Sequence, residues 1–344
     1  MRISFLIILI FLLPVPVNAT ELIPPEVPES ASEIMTESSG FSEGLKQILE
    51  NTLPLLRPDL AEAAKISLGV IAAVLMISLL QSVSGSVSTT ADFAGSLTVS
   101  ALLLFSTDSL ISLAADTVME MSEYGKLLLP VLTAALAAQG GITGSTALYG
   151  GTAVFNTALT GLVSGLFVPM VYVFLALSVA NSAIGENVLK NLRDMMKGFV
   201  SWCLKTMLII FTTYMSITGV VSGTTDAAAL KAAKVTISTM VPVVGGILSD
   251  ASEAVLVSAG LAKNAAGIYG ILAILAVFLR PFLQIGVHYL MLKSTAAVCS
   301  IFGTKRMTEL IGDFSAAMGL LLAMTGASCL LLLISTVCFL KGVG

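Results

Sequence analysis

The sequence predicts an all-α polytopic transmembrane helical bundle of about six to eight spans, with re-entrant segments and a parallel internal repeat as variants of that plan. Three observations carry this reading. The 344 residues are 56% hydrophobic and only 11% charged, with a mean hydropathy of +0.98, whereas soluble domains are roughly 25% charged. Runs without Asp, Glu, Lys, Arg or His extend over 59 residues between Lys126 and Glu186, 27 between Asp313 and Lys341, and 20 between Lys205 and Asp226, and a spanning helix needs about 20 apolar residues. The 29 glycines, with many Ser, Thr and Ala, fall inside these stretches, which suits close helix approach in lipid and argues against β-barrel alternation.

The elements follow in chain order. Residues 1–19 combine Arg2, an apolar run from Ile3 to Leu13, Pro14, Pro16 and the small-residue ending Val17-Asn18-Ala19. This is the pattern of a signal peptide cleaved near Ala19, with an uncleaved signal anchor as the alternative. Residues 20–65 form an acidic arm expected outside the cytoplasm. Thr20 to Lys65 carry nine acids and three bases, and Pro24, Pro25 and Pro28 favour an extended start. From Phe41 the spacing of Leu45, Ile48, Leu49 and Leu53 predicts an amphipathic helix, which lies at the interface or binds a partner.

Residues 66–115 are expected to hold two spans, Ile66–Val83 and Phe93–Leu113, joined by a polar turn at Ser84 to Thr90. Asp108, inside the second, either serves a function or marks the outer interface. An acidic loop with Asp116, Glu120 and Glu123 should follow. In the first half of the core, residues 116–225, Leu127–Ala138 is too short to cross alone, and Gln139 to Gly151 reads as a glycine-rich break. Either helices re-enter around that break and Thr152–Ala180 crosses once, or three crossings are joined by tight turns. Both counts are odd, and both bring the basic loop Glu186 to Lys197 to the cytoplasm. Gly198–Ser222 returns, with Lys205 close enough to the inner end to snorkel.

The second half, residues 226–344, opens with an amphipathic segment from Asp226 to Lys263, broken by Pro242, Gly245 and Gly246. Asn264–Leu279 and Pro281–Phe302 lead to the basic Lys305-Arg306, and Phe314–Leu340 makes a last long span. Pro130 and Pro169 are spaced as Pro242 and Pro281 are, and each pair precedes a short basic loop and a long uncharged helix. That spacing suggests two tandem halves in parallel orientation.

Few residues suggest chemistry. Gly40-Phe41-Ser42-Glu43-Gly44 fits G-x-S-x-G, but no strand precedes it and the one histidine, His288, lies in an apolar stretch. No metalloprotease, phosphate-loop or dinucleotide fingerprint occurs, so neither an enzyme nor a cofactor is predicted. Cys203, Cys299, Cys329 and Cys338 lack metal-site spacing and read as small apolar packing residues, an inter-helix disulfide being the alternative. No basic patch is dense enough for nucleic acid. The lipid bilayer is the partner that composition itself implies.

Arg280 before Pro281, with His288 beyond, is either a functional charge at a broken helix or an interfacial turn with a neutral, hydrogen-bonded histidine. Gly140/Gly144, Gly161/Gly165 and Gly219/Gly223 have G-x-x-x-G spacing, which points to tight helix packing. The pore or packing candidates are thus Arg280, His288, Gly140, Gly141, Gly150, Gly151, Pro169 and Pro281.

The stretch Tyr124-Gly125-Lys126-Leu127-Leu128-Leu129-Pro130 through Ala138-Gln139-Gly140-Gly141, then Val188-Leu189-Lys190-Asn191-Leu192-Arg193, and Pro281 with its flanks, resembles the stage III sporulation protein AE family of endospore-forming bacteria. The resemblance covers nearly all of the chain after the signal peptide. It implies synthesis in the mother cell and residence in the membrane around the forespore. It also implies assembly with sister proteins of the same operon and, through the complex, with stage II sporulation protein Q, as a channel resembling a secretion or feeding apparatus. A stand-alone transporter of a small solute, with its site at the glycine break or near Arg280, is the alternative.

Overall fold

The computed structural model describes residues 25–32, 34–35, 40–83, 88–138, 142–184, 188–218 and 265–342. The described residues form helices and short connections: α1 (Glu29–Ser32), α2 (Phe41–Val83), α3 (Ser88–Ala138), α4 (Ile142–Leu162), a π-helical turn (Val163–Phe167), α5 (Val168–Ile184), α6 (Val188–Ile217), α7 (Ala265–Cys299) and α8 (Lys305–Gly342). Six helical stretches among them are long and apolar enough to cross a membrane. The expected signal peptide, the amphipathic segment from Asp226 to Lys263 and the pair Gly219/Gly223 lie outside the described residues.

Helix length is where the structure departs most from the sequence reading. The interfacial helix and the first span are one helix, α2, 43 residues long and therefore about 64 Å. A single buried stripe of Phe41, Ile48, Thr52, Leu56, Ala63, Ser67, Val70 and Val74 runs along it at the three-to-four spacing of one helical face. That unbroken stripe packs on α7 and α3 and holds the helix across the boundary expected at residue 65. Pro54 and Pro58 lie inside α2 on its exposed side, where a lost backbone bond and a bend away from the core cost least.

The expected acidic loop is likewise helical. Asp116, Glu120 and Glu123 belong to α3, which continues for 51 residues to Ala138. Val118, Met121, Tyr124, Leu128 and Leu132 form a buried face through this part, so packing fixes the helix while the acids sit largely on its other sides. Leu127–Ala138 is therefore the end of α3 and not a separate short element.

Beyond residues 139–141 the chain is helical again from Ile142, so the glycine-rich segment is helix at least from Ile142 to Gly151. One helical path runs from there to Ile184, interrupted only by the π-turn, and Ser145–Ile184 is one stretch long and apolar enough to cross a membrane. The π-turn has a local cause. Pro169 has no N–H for the carbonyl of Gly165 and its ring crowds that oxygen. The helix accommodates this by widening, with the Val168 N–H donating to Val163 O five residues back. Pro281 also sits inside a continuous helix, α7, and does not break it.

α8 forms the axis. It packs against α3, α4, α5, α6 and α7, and 94% of its most apolar stretch is buried. Ala317, Ala323, Ala327 and Ser328 let neighbours approach, and Leu320, Leu321, Leu330 and Leu333 fill the remaining space.

The ends of the bundle differ in charge. The end of α2, the start of α3, the end of α5 and the connection 300–304 meet at one end. There Ser78 donates to Phe302 O at 2.6 Å, Gln81 to Asp92 at 2.6 Å and Ser182 to Arg306 O at 3.4 Å. Lys190, Arg193, Lys197, Lys305 and Arg306 gather at this basic end, which is where the two loops of the expected parallel halves should lie together. Toward the other end α1 is fastened by Ser30 donating to Glu120, and Asn51 donates to Ile34 O at 3.0 Å. About halfway along α2 and α7 comes a charged band, with Arg57, Asp59, Glu62 and Lys65 on α2 and Arg280 on α7.

Candidate functional site

The candidates from sequence separate into two regions. Arg280 is exposed on α7, while His288, two turns on, is buried with Nδ1 3.0 Å from Gln284 O. A hydrogen on Nδ1 donates to that carbonyl. Asp59 of α2 interacts electrostatically with both residues, as well as with Glu62. The arrangement is a surface charge network along the α2–α7 seam, and Arg280 marks neither a turn nor a helix break.

Gly150 and Gly151 lie on α4, against different neighbours. A Cβ at Gly151 would enter the ring of Tyr214, whereas one at Gly150 would meet open space. Tyr214 of α6 donates to Ala147 O at 2.8 Å, and Phe155 and Phe211 meet edge to face at 5.2 Å. These contacts seat α6 on α4. A methyl group at Gly161 or Gly165 would have no neighbour within 4 Å, so their G-x-x-x-G spacing does not mark a close contact within this chain. Close approaches occur instead at Gly95, Gly125, Gly267 and Gly270, against Met307, Leu332, Leu340 and Leu128. Gly140 and Gly141 lie outside the described residues, and Pro169 borders the π-turn.

The most enclosed charges are a pair that the sequence reading did not join. Arg193 of α6, 4% exposed, points inward and its guanidinium donates to Asp313 of α8. Ser178 of α5 hydrogen-bonds the same carboxylate. Asp194 lies 3.5 Å from Arg193 Nε, and Lys190 lies 3.9 Å from Glu309. Next to this cluster, Ser96 of α3 and Ser182 of α5 exchange a hydroxyl hydrogen bond at 2.8 Å. Four helices are thus tied together at the basic end. Removing one member of a buried pair leaves an uncompensated charge, so the arrangement serves as a clamp. Arg193 read as one residue of a basic loop and Asp313 as the boundary of an uncharged run; the i, i+4 spacing of the acids Glu309 and Asp313, opposite in sign to Lys190 and Arg193 one turn apart, was the available signal.

A second polar cluster joins α3 and α4 near the axis. Asn156 donates to the carbonyl and the hydroxyl of Ser122, both at 3.2 Å, and its amide also approaches Gly125. Asn156 Oδ1, Thr152 Oγ1 and Tyr124 Oη are buried without a hydrogen-bond partner among the described residues. No group of three His, Cys, Asp or Glu side chains among the described residues is placed to hold a metal. The geometry offers clamps and polar seams between helices, and outward charges.

No solved structure matches. Over 194 residues, 56% of this chain, the sequence is 25% identical to the stage III sporulation protein AE of Bacillus subtilis (strain 168), and the matched stretch spans about half (48%) of that relative's length. The sequence profile described as Stage III sporulation protein AE matches residues 30–342, from α1 to the end of α8. The chain, an all-helical bundle of membrane-crossing length, belongs to the stage III sporulation protein AE family.

Proposed function

We propose that this chain is an integral membrane subunit of a transenvelope channel complex between mother cell and forespore, and that it supports late forespore development. Family membership supplies the process, and the packing of α8 carries the choice between subunit and solitary transporter. The axis of the bundle is filled by α8, which carries no charge from Phe314 to Leu340 and is buried on nearly every side along that stretch. A solute path through one copy would have to displace it, whereas a path built between subunits leaves it in place.

The basic end, with Lys190, Arg193, Lys197, Lys305 and Arg306, faces the mother-cell cytoplasm, as the positive-inside rule requires. The acidic arm and the outer halves of α2, α3 and α7 then face the space between the two membranes. The partners are the other stage III sporulation operon products and, through the assembled complex, stage II sporulation protein Q. Cleavage near Ala19 would place the start of the arm on that side.

The test is purification of a tagged copy from gently solubilised sporulating cells, with mass spectrometry of the recovered proteins. Co-recovery of the sister operon products is expected. Recovery of this chain alone, from a preparation in which those proteins are intact, together with solute uptake by the chain alone in liposomes, would overturn the subunit reading.

A further inference from the structure

α6 lies at the periphery of the bundle and has three distinct sides. Arg193, Val200, Leu204, Phe211 and Met215 are packed. A second side is apolar and exposed, with Met195, Phe199 and Trp202, as contact with lipid demands. Between them runs a strip of Asp194, Gly198, Ser201, Lys205, Thr212 and Ser216, whose spacings of three, four and seven place them along one line of the helix.

Thr212 and Ser216 return their hydroxyls to carbonyls four residues back, at 2.7 and 2.9 Å, so hydrocarbon tolerates them. Lys205 has no such outlet. It is exposed within the candidate span Leu189–Ile217, and no described acid lies within salt-bridge distance. From the Arg193 clamp it is about 18 Å along the helix, farther than its four-carbon stem can snorkel. An outward charge at that depth calls for a partner.

The complementary charge is on α3. Asp108 is exposed within the span Thr90–Ala135, beside Phe105, which is 88% exposed. The Tyr172 hydroxyl donates to its Oδ1 at 2.7 Å, which leaves Oδ2 to accept from elsewhere, and no described base bridges to it. Asp108 is about 18 Å along α3 from Ser96, and Ser96 and Arg193 are anchored within about one helical turn of each other, at Ser182 and, through Asp313, at Ser178 of α5. The two charges therefore sit at similar depth. Within one chain α5 packs against both α3 and α6, and no ion pair joins them.

We propose that this chain binds a second copy of itself head to tail in the membrane, with Lys205 of one copy paired to Asp108 of the next. The two patches differ, so the contact is heterologous and its repetition builds a ring or a chain of copies. The proposal adds self-association to the membrane-subunit reading and does not depend on which sporulation proteins join the complex.

The test co-expresses two differently tagged full-length copies in a host membrane, with Asp108→Cys in one and Lys205→Cys in the other, both carrying Cys203→Ser, followed by mild oxidation. A disulfide-linked species bearing both tags is expected, with little product when both copies carry the same cysteine. Charge reversal supplies the second arm: Asp108→Lys or Lys205→Asp alone should weaken self-association by roughly thirtyfold or more, and the two together should restore it. Variants whose melting temperature matches the parent but which give no mixed-tag product overturn the proposal. Equal product from like-like pairs, or single reversals that associate as the parent does, also overturn it.

Discussion

Gly150 and Gly151 are adjacent in sequence, yet only one is held by its surroundings. Gly151→Ala would push a methyl into the Tyr214 ring and should destabilise the protein by about 1–3 kcal/mol, whereas Gly150→Ala should be neutral or stabilising by about 0.5–1 kcal/mol, since Ala favours helix. Thermal unfolding in detergent, run side by side, checks both. At the basic end, Arg193→Ala or Asp313→Ala should each cost about 3–5 kcal/mol, because the remaining charge is buried without its partner. Replacing both, Arg193→Met with Asp313→Leu, should recover most of that loss by the same measurement. Near-additive losses in the double variant would show that the two side chains stabilise independently.

Such residue-level facts were partly legible in the sequence. Gly151, Pro169, Arg280 and His288 stood out because glycine, proline and ionisable groups are conspicuous in apolar stretches. Asp59 and Asp313 did not, because each lies in or beside a polar stretch where a charge is unremarkable, and only the packing of a distant helix gives it a role. The G-x-x-x-G spacing at Gly161 and Gly165 marks no close contact within the chain, because it records where small residues lie and not which side of a helix meets a neighbour.

For whole elements, charge composition located the apolar cores well and the helix ends poorly. α2 and α3 continue through Arg57 to Lys65 and through Asp116 to Glu123, where charge density predicted an arm and a loop. A helix ends where its backbone bonds lack partners or its buried face runs out, and in both helices the buried face persists while the opposite side turns polar. The seam between α8 and its neighbours gives a direct test. Ala327→Leu, at a fully buried position of α8, should cost about 1–3 kcal/mol through overpacking. Leu79→Ala, on the exposed side of α2, should change stability by less than about 0.5 kcal/mol, both read as shifts in melting temperature.

Across the whole molecule, burial is strongly graded from α8 outward to α6 and α2. Local opening follows the density of buried apolar contacts. Hydrogen exchange in detergent or nanodiscs should therefore be slowest along 317–333 and markedly faster along the outer turns of α2, near 41–55. Equal protection in the two regions would contradict a bundle organised around α8. The sequence already revealed the membrane class and the uncharged stretch Phe314–Leu340 of the last helix, but it left the count at about six to eight spans, where the described residues hold six candidate spans. It could not reveal that this helix is central, because long apolar runs look alike whether lipid or protein surrounds them.

The position of α8 also bears on the order of synthesis. Every other described helix precedes it in the chain, so those helices enter the membrane before the element that separates their inner faces exists. Until α8 arrives, Arg193 has no Asp313, and Gly125 and Gly267 lack Leu332 and Leu340. During that interval the nascent protein is an open group of helices held by seams such as Ser96–Ser182 and Asn156–Ser122. A chain interrupted just before Lys305 would retain five of the six candidate spans and lack the surface on which they converge, leaving it exposed to membrane quality control despite carrying most of its sequence.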